Sequence, residues 1–270
     1  MGKLLICLAL ILLTAATSLY LSPAALFASV QFVEQQWAGL SARQVQVGDF
    51  NLHYYEGGPQ GAETILMIHG FAADKDNWLR FSRPLTARYH VVALDLPGFG
   101  DSSKPAASYD VATQVERLNA FSQALGIGQL HLIGNSMGGH IAALYAARHP
   151  EQVLSVALLN NAGVNAPQAS ELFQRLQRGA ANPLLVSSGA DFSALLDFLF
   201  VQQPTLPEPL KQHLAERAIA SHDFNQTIFS QLRERYIPLE PELAKIQAPT
   251  LLLWGDQDRL LDVSSIEVMR

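Results

Sequence analysis

The sequence of 270 residues predicts an α/β fold, a mostly parallel sheet with helices on both faces and an all-helical insertion. Three observations carry that expectation. Short apolar runs at 64–68, 90–94, 130–133, 153–159 and 250–254 alternate with helical stretches, as in parallel strands joined by crossover helices. Between 163 and 238 the alternation stops, and amphipathic helical stretches such as 171–178, 192–200 and 209–221 take over. The run from Leu130 to Gly139 carries a buried-strand pattern straight into a glycine-flanked serine turn, followed by an alanine-rich helix over 141–148.

Composition narrows the function classes. With 49% hydrophobic and 16% charged residues the chain is globular, and 270 residues suffice for one well-buried domain with a decoration. A net charge of −6 without long runs offers no basic stripe to neutralise phosphates, which excludes a nucleic-acid binder. The single cysteine, Cys7, has no partner for an intramolecular disulfide.

The elements follow in order. Lys3 precedes an uncharged stretch over 4–20, and apolar character continues past Ser22 and Pro23 to Val30. Residues 1–30 therefore read as a signal-anchor, as a secretory signal cleaved near Ala28, or as a buried helix; length and flanks favour the anchor. Spanning with Lys3 inside would place the domain on the non-cytoplasmic side. Strand patterns at 43–47 and 50–56, ending in Gly57-Gly58-Pro59, predict an antiparallel hairpin. Residues 44–162 and 239–270 then form the α/β core, and 163–238 a helical cap over the carboxyl edge of the sheet.

Ser136 is the candidate nucleophile. In Gly134-Asn135-Ser136-Met137-Gly138 the serine sits on a tight strand-to-helix turn, and glycines two positions either side remove side chains that would collide there. The amide of Met137, at the positive end of the following helix, is free to donate to an oxyanion. A tetrahedral intermediate needs a second donor, and His69-Gly70-Phe71, after the strand at 64–68, supplies one in the amide of Phe71 exposed by the small Gly70. His69 itself reads as a strand-end residue bonding backbone groups. Asp95, in Asp95-Leu96-Pro97-Gly98-Phe99-Gly100-Asp101-Ser102, reads as a carboxylate fixing its loop. Among Asp256, Asp258 and Asp262, after the strand at 250–254, one should orient a catalytic base, and Asp256 reads as a turn residue bonding its own backbone.

Taken in this order, H-G-F, D-L-P-G-F-G-D-S, G-N-S-M-G-G and W-G-D-Q-D resemble the α/β-hydrolase fold family from about residue 45 to the end. With the apolar amino terminus and helical cap, the chain is similar to the membrane-anchored monoacylglycerol-lipase group of that family. The resemblance implies ester hydrolysis through an acyl-enzyme, with Asp258 as the triad acid, Phe71 and Met137 as the oxyanion amides, and no cofactor or metal. Substrates would be small esters or lipids, and the apolar cap residues Phe192, Leu195, Leu196, Phe198, Leu199 and Phe200 would either line an acyl site or pack the cap.

The family order places a histidine after the acid, yet none of the 12 residues after Asp258 is histidine. The expectation is a chain truncated before its final strand, helix and base, strongly impaired alone. The alternatives are a non-catalytic binding homologue and a carbon–carbon bond hydrolase of the same fold.

Overall fold

The computed structural model describes Tyr20 and residues 22–270. Helix α1 (Pro23–Ala38) opens on a proline, whose missing N–H is harmless in a first turn, and stops at Gly39 in the left-handed conformation. Strands β1 (Leu40–Val47) and β2 (Phe50–Gly57) form the expected hairpin, paired from Leu40 with Gly57 to Val47 with Phe50. Strand β3 (Thr64–Ile68) is followed by a short 3₁₀ turn (Lys75–Trp78) and α2 (Leu79–Ser82), then by β4 (His90–Leu94). Helix α3 (Val111–Ala124) is capped by Asp110, whose carboxylate accepts from the Thr113 N–H at 3.0 Å. Next come β5 (Leu130–Asn135), α4 (Met137–Arg148) and β6 (Val153–Leu159).

Five helices occupy the stretch between β6 and the next strand: α5 (Glu171–Gln177), α6 (Gly189–Leu199), α7 (Glu208–Ala220), α8 (His222–Glu234) and α9 (Glu240–Leu243). No strand interrupts them among the described residues. The chain then forms β7 (Thr250–Leu253) and α10 (Ser265–Met269).

The sheet runs β1-β2-β4-β3-β5-β6-β7, with β3 to β7 parallel and β2 antiparallel to β4. The chain winds outward from β3 to β4, then returns past β3 to β5. That reversal opens a crevice at the carboxyl ends of β3 and β5, where ligands bind in sheets of this kind. Helix α4 is buried from Met137 to Ala147, all round, as a helix in the middle of a core must be. At the far edge Leu251 and Leu253 of β7 are exposed.

Residues 23–30 are the first half of α1, which docks on the domain. Phe27 stacks on His213 of α7 at 5.1 Å, and Gln35 donates to the Tyr55 hydroxyl at 2.9 Å. A cut after Ala28 would divide this packed helix. No helix among the described residues is long and apolar enough to cross a membrane. The anchor or signal expected over 1–30 falls mainly on residues 1–19 and 21, outside the described residues.

His140 pins α4 to the chain approaching β7, with Nε2 2.9 Å from the Ile237 carbonyl oxygen, so Nε2 carries a proton and donates there. Burial lowers its pKa to about 4, against partial opposition from that carbonyl. A depressed folded-state value means that the unfolded chain binds the proton first. The linked stability is full above pH ~6.5 and is lost as the pH falls towards 4, by roughly 3 kcal/mol from this ring alone. Urea melts at pH 7 and pH ~4.5 should show a smaller acid loss in His140→Gln, which keeps the donor and removes the titration; equal losses would contradict the assignment.

Candidate active site

Ser136 lies between β5 and α4 at φ 54, ψ −120, a conformation costly for any side-chain-bearing residue. The turn is held from several sides. The Ser136 carbonyl accepts from the N–H groups of Gly139 (3.0 Å), His140 (3.1 Å) and Ala162 (3.0 Å), and its own N–H donates to the Leu159 carbonyl at 3.0 Å. A Cβ on Gly138 would stand 2.2 Å from the Ile68 carbonyl oxygen, and one on Gly134 would stand 2.3 Å from that of Gly138. Backbone contacts of this closeness explain both flanking glycines. Asn135 contributes outside the turn, donating from Nδ2 to the Leu159 carbonyl at 3.1 Å.

The His69-Gly70-Phe71 turn packs directly on this elbow. A Cβ on Gly70 would meet the Ser136 Cβ at 3.1 Å. Among the described residues neither the Phe71 nor the Met137 N–H donates to a protein acceptor. The Phe71 ring is clasped edge-on by Phe99 at 6.0 Å and by Phe229 of α8 at 5.6 Å.

His69 is fully buried and bonded to backbone at both ring nitrogens. The Leu96 N–H donates to Nε2 at 3.0 Å, which places the ring proton on Nδ1, 2.7 Å from the Gly70 carbonyl oxygen. Burial pushes its pKa down, with Asp95 opposing. Its role is to lock the turn. Asp95 fixes its surroundings as expected, accepting from the Lys75 N–H and ammonium at 2.7 Å each and from the Asp101 N–H at 2.9 Å.

Asp258 stands at the end of the β7 turn. Its Oδ1 accepts from the N–H groups of Leu260 (2.8 Å) and Leu261 (2.9 Å), and Oδ2 accepts from the side-chain amide of Asn160. Backbone-bonding within this turn thus falls to Asp258, whereas Asp256, to which the sequence assigned it, is exposed. The acid turn is also tied to the cap: Arg259 pairs with Glu171 of α5, its carbonyl accepts from the Leu172 N–H at 3.0 Å, and its guanidinium holds the Glu171 carboxyl down to about 2.

All eight histidines lie among the described residues, and no imidazole ring among them bonds to Ser136 or Asp258. His90 engages Thr64 and Glu56, His131 engages Ser155 and Glu63, and His222 faces the Val186 carbonyl. His53 lies beside Asn51, His149 packs on Tyr145 and His213 on Phe27. The structure therefore packs the candidate serine against the His69-Gly70-Phe71 turn, links Asp258 to the serine turn through Asn160, and places no imidazole between Ser136 and Asp258 among the described residues.

Several contributors escape the sequence reading. Asn160 adopts φ 45 after β6, which asparagine tolerates, and that sequel to a buried strand is the only local signal for it. Helix α8 was discernible from Phe224, Ile228 and Leu232 at intervals of four. Of the six apolar cap residues, Phe192 and Leu196 belong to a small cap core with Val186 and Ala215, and Phe198 lies under the guanidinium groups of Arg175 and Arg259. Leu199 and Phe200 are exposed. A cleft of about 680 Å³ between α5, α6 and the acid turn includes Phe200, Glu171 and Asp258 but not Ser136.

A parallel sheet with a strained serine at its switch point and paired amides beside it defines a nucleophile-elbow hydrolase architecture. The sequence pattern of the alpha/beta hydrolase fold matches residues 63–270, and the chain belongs to that family. It is 32% identical over 271 residues to a monoacylglycerol lipase, abhd6-B, of Xenopus laevis, covering 96% of this chain and 80% of that one. It is 35% identical over 226 residues to Lipase 1 of Psychrobacter immobilis, covering 80% and 69%. Among solved structures, a membrane phospholipase A described as a bacterial virulence factor superposes with a TM-score of 0.91 at 66% identity, covering 100% of this chain and 87% of that one. A putative lipase from Acinetobacter baumannii gives 0.84 at 33% identity, covering 90% and 83%.

The glycine contacts make a direct prediction. Gly138→Ala forces a methyl group against two backbone carbonyls and should cost about 3 kcal/mol or more, as overpacking against atoms that cannot yield does. Thermal melting would show it; a change below ~1 kcal/mol would mean that the β3–α4 contact is looser than described.

Proposed function

We propose that this protein hydrolyses carboxylic esters of lipids, monoacylglycerol-like substrates foremost, through an acyl-enzyme. The reading is carried by the hydroxyl of Ser136 projected from a positive-φ turn, with the Phe71 and Met137 amides unbonded beside it. In this scheme Ser136 Oγ attacks the ester carbonyl, its proton passes to a general base, and the carbonyl oxygen becomes an oxyanion held by the two amides. Collapse expels the alcohol, which takes up a proton, and water then releases the fatty acid by the same steps in reverse order. Asp258, fixed by Asn160 and two turn amides, would orient an imidazole. The names of the relatives support the ester class, and the apolar cap supports an acyl chain.

The amino-terminal apolar stretch would hold the enzyme at a membrane with the domain on the non-cytoplasmic side. Phe32 and Trp37 of α1, 60% and 66% exposed, suit the bilayer interface that such an anchor would bring near.

With no imidazole beside Asp258, the 270-residue chain should turn over slowly, at a residual ~10³ to 10⁴ over water. Three measurements test the reading. With imidazole added to stand in for the base, a fluorophosphonate should label Ser136, identified by peptide mass spectrometry, and Ser136→Ala should abolish the label. Added imidazole should raise p-nitrophenyl ester turnover in the wild type above the enzyme-free imidazole rate, and Ser136→Ala should show no such excess. Labelling elsewhere would refute the nucleophile, and turnover of a vinylogous diketone without ester turnover would favour the carbon–carbon hydrolase instead.

A further inference from the structure

Three residues beyond Phe71, the side chains of Asp74, Lys75 and Asp76 leave in three directions. Asp74 accepts from Arg217 of cap helix α7 at 3.1 Å. Lys75, its side chain 4% exposed, donates from Nζ to Asp95 at 2.7 Å and to Asp101 at 2.6 Å, while its backbone N–H holds the other oxygen of Asp95 at 2.7 Å. Asp76 accepts from Gln31 of α1 at 3.0 and 2.9 Å and from the Tyr55 hydroxyl at 2.7 Å. Cap, core and amino-terminal helix each grip one of three consecutive residues.

Between this segment and Phe71 stands Ala72 at φ 57, a left-handed conformation that a residue with a Cβ keeps only when its surroundings impose it. The turn's own backbone supplies one bond, from the Ala73 N–H to the Gly70 carbonyl at 3.3 Å. Most of the constraint must therefore come from beyond it. Lys75 is best placed to give it, because its backbone and side chain both close on one buried carboxylate. Burial works against the ammonium charge, but Asp95 and Asp101 more than reverse this and hold its pKa above the usual value.

We propose that Lys75 is a positioning residue for ester hydrolysis: by fixing residues 72–76 on Asp95 and Asp101 it aims the Phe71 N–H at the oxyanion, while Asp74 and Asp76 tie the same segment to the cap and to α1. This rests on Ser136 being the nucleophile. An oxyanion donor acts on the transition state more than on bound substrate, so a misdirected Phe71 amide lowers the maximal rate and leaves ground-state binding in place.

The test compares wild type, Lys75→Gln and Asp101→Asn in fluorophosphonate labelling of Ser136 with imidazole present, alongside hydrogen exchange of the peptide spanning 71–77. Asp101→Asn is the milder change, since that side chain is 56% exposed, and it serves if Lys75→Gln does not fold. The maximal labelling rate should fall roughly tenfold to a hundredfold, less than the ~10² to 10³ of deleting a donor outright, with an unchanged half-saturating concentration. The hydrogen-bonded amides of Ala73, Lys75 and Asp76 should exchange about tenfold faster while α4 stays protected. Wild-type maximal rates in folded variants, a loss confined to half-saturation, or a slower rate with unchanged exchange would each overturn the positioning role. A wild type unlabelled at Ser136 would instead remove the nucleophile on which it rests.

Discussion

The contact on which the site depends is the approach of α4 to the end of β3, where Gly138 meets the carbonyls of Ile68 and His69 with no side chain between them. It allows the chain to leave β5, reverse within one residue and enter a buried helix. Ser136 absorbs the reversal at φ 54. A turn in that conformation would relax if it were isolated, since positive φ costs of order 1–3 kcal/mol for such a residue. Three amides on the Ser136 carbonyl and the Leu159 carbonyl on its N–H outweigh that cost. The same approach brings Gly70 onto the Ser136 Cβ, so the serine turn and the His69–Phe71 turn are set by a single packing event.

From that point the carboxyl ends of the strands are laced one to the next. Ser136 bonds to Leu159 at the end of β6, Asn160 bonds to Leu253 at the end of β7, and the Asn160 side chain bonds to Asp258. Two strand-end bonds and one amide thus connect the serine to the carboxylate. The cap reaches this chain through Arg259 and Glu171, and reaches the opposite wall through Phe229 against Phe71 and Arg217 against Asp74. Any displacement of the cap is consequently felt at both ends of the site.

The parts legible in the sequence share a physical cause. A strand such as Thr64–Ile68 announces itself because burial on both faces forces a continuous apolar run, and the elbow does so because only glycine fits its two close approaches. Helix α8 falls inside the helical cap expected over 163–238, but its own bounds are faint because polar residues dominate it and only a four-residue apolar rhythm marks its buried side. The boundary of α1 was hidden because apolar residues run on across Ser22 and Pro23, so that the docked half looked like more of what precedes it. Asn160 and Lys75 could not be read at all. Their meaning lies in partners 98 and 20 residues away, and only the folded sheet brings those together.

The buried histidines show how the fold separates structural imidazoles from chemical ones. His69 lies within two residues of Phe71, yet both of its nitrogens are committed to backbone groups, and burial disfavours the charged form that a proton carrier must reach. His140, on the helix that follows Ser136, is likewise neutral and spent on the Ile237 carbonyl. A general base needs a free nitrogen towards the serine and a carboxylate behind the other. Here Asp258 offers such a carboxylate with one oxygen held by turn amides and the other by Asn160, so an incoming imidazole N–H must share or displace the asparagine. On the proposed role of Asp258, that competition makes Asn160 the contact through which the carboxylate's readiness to hold a base would be set.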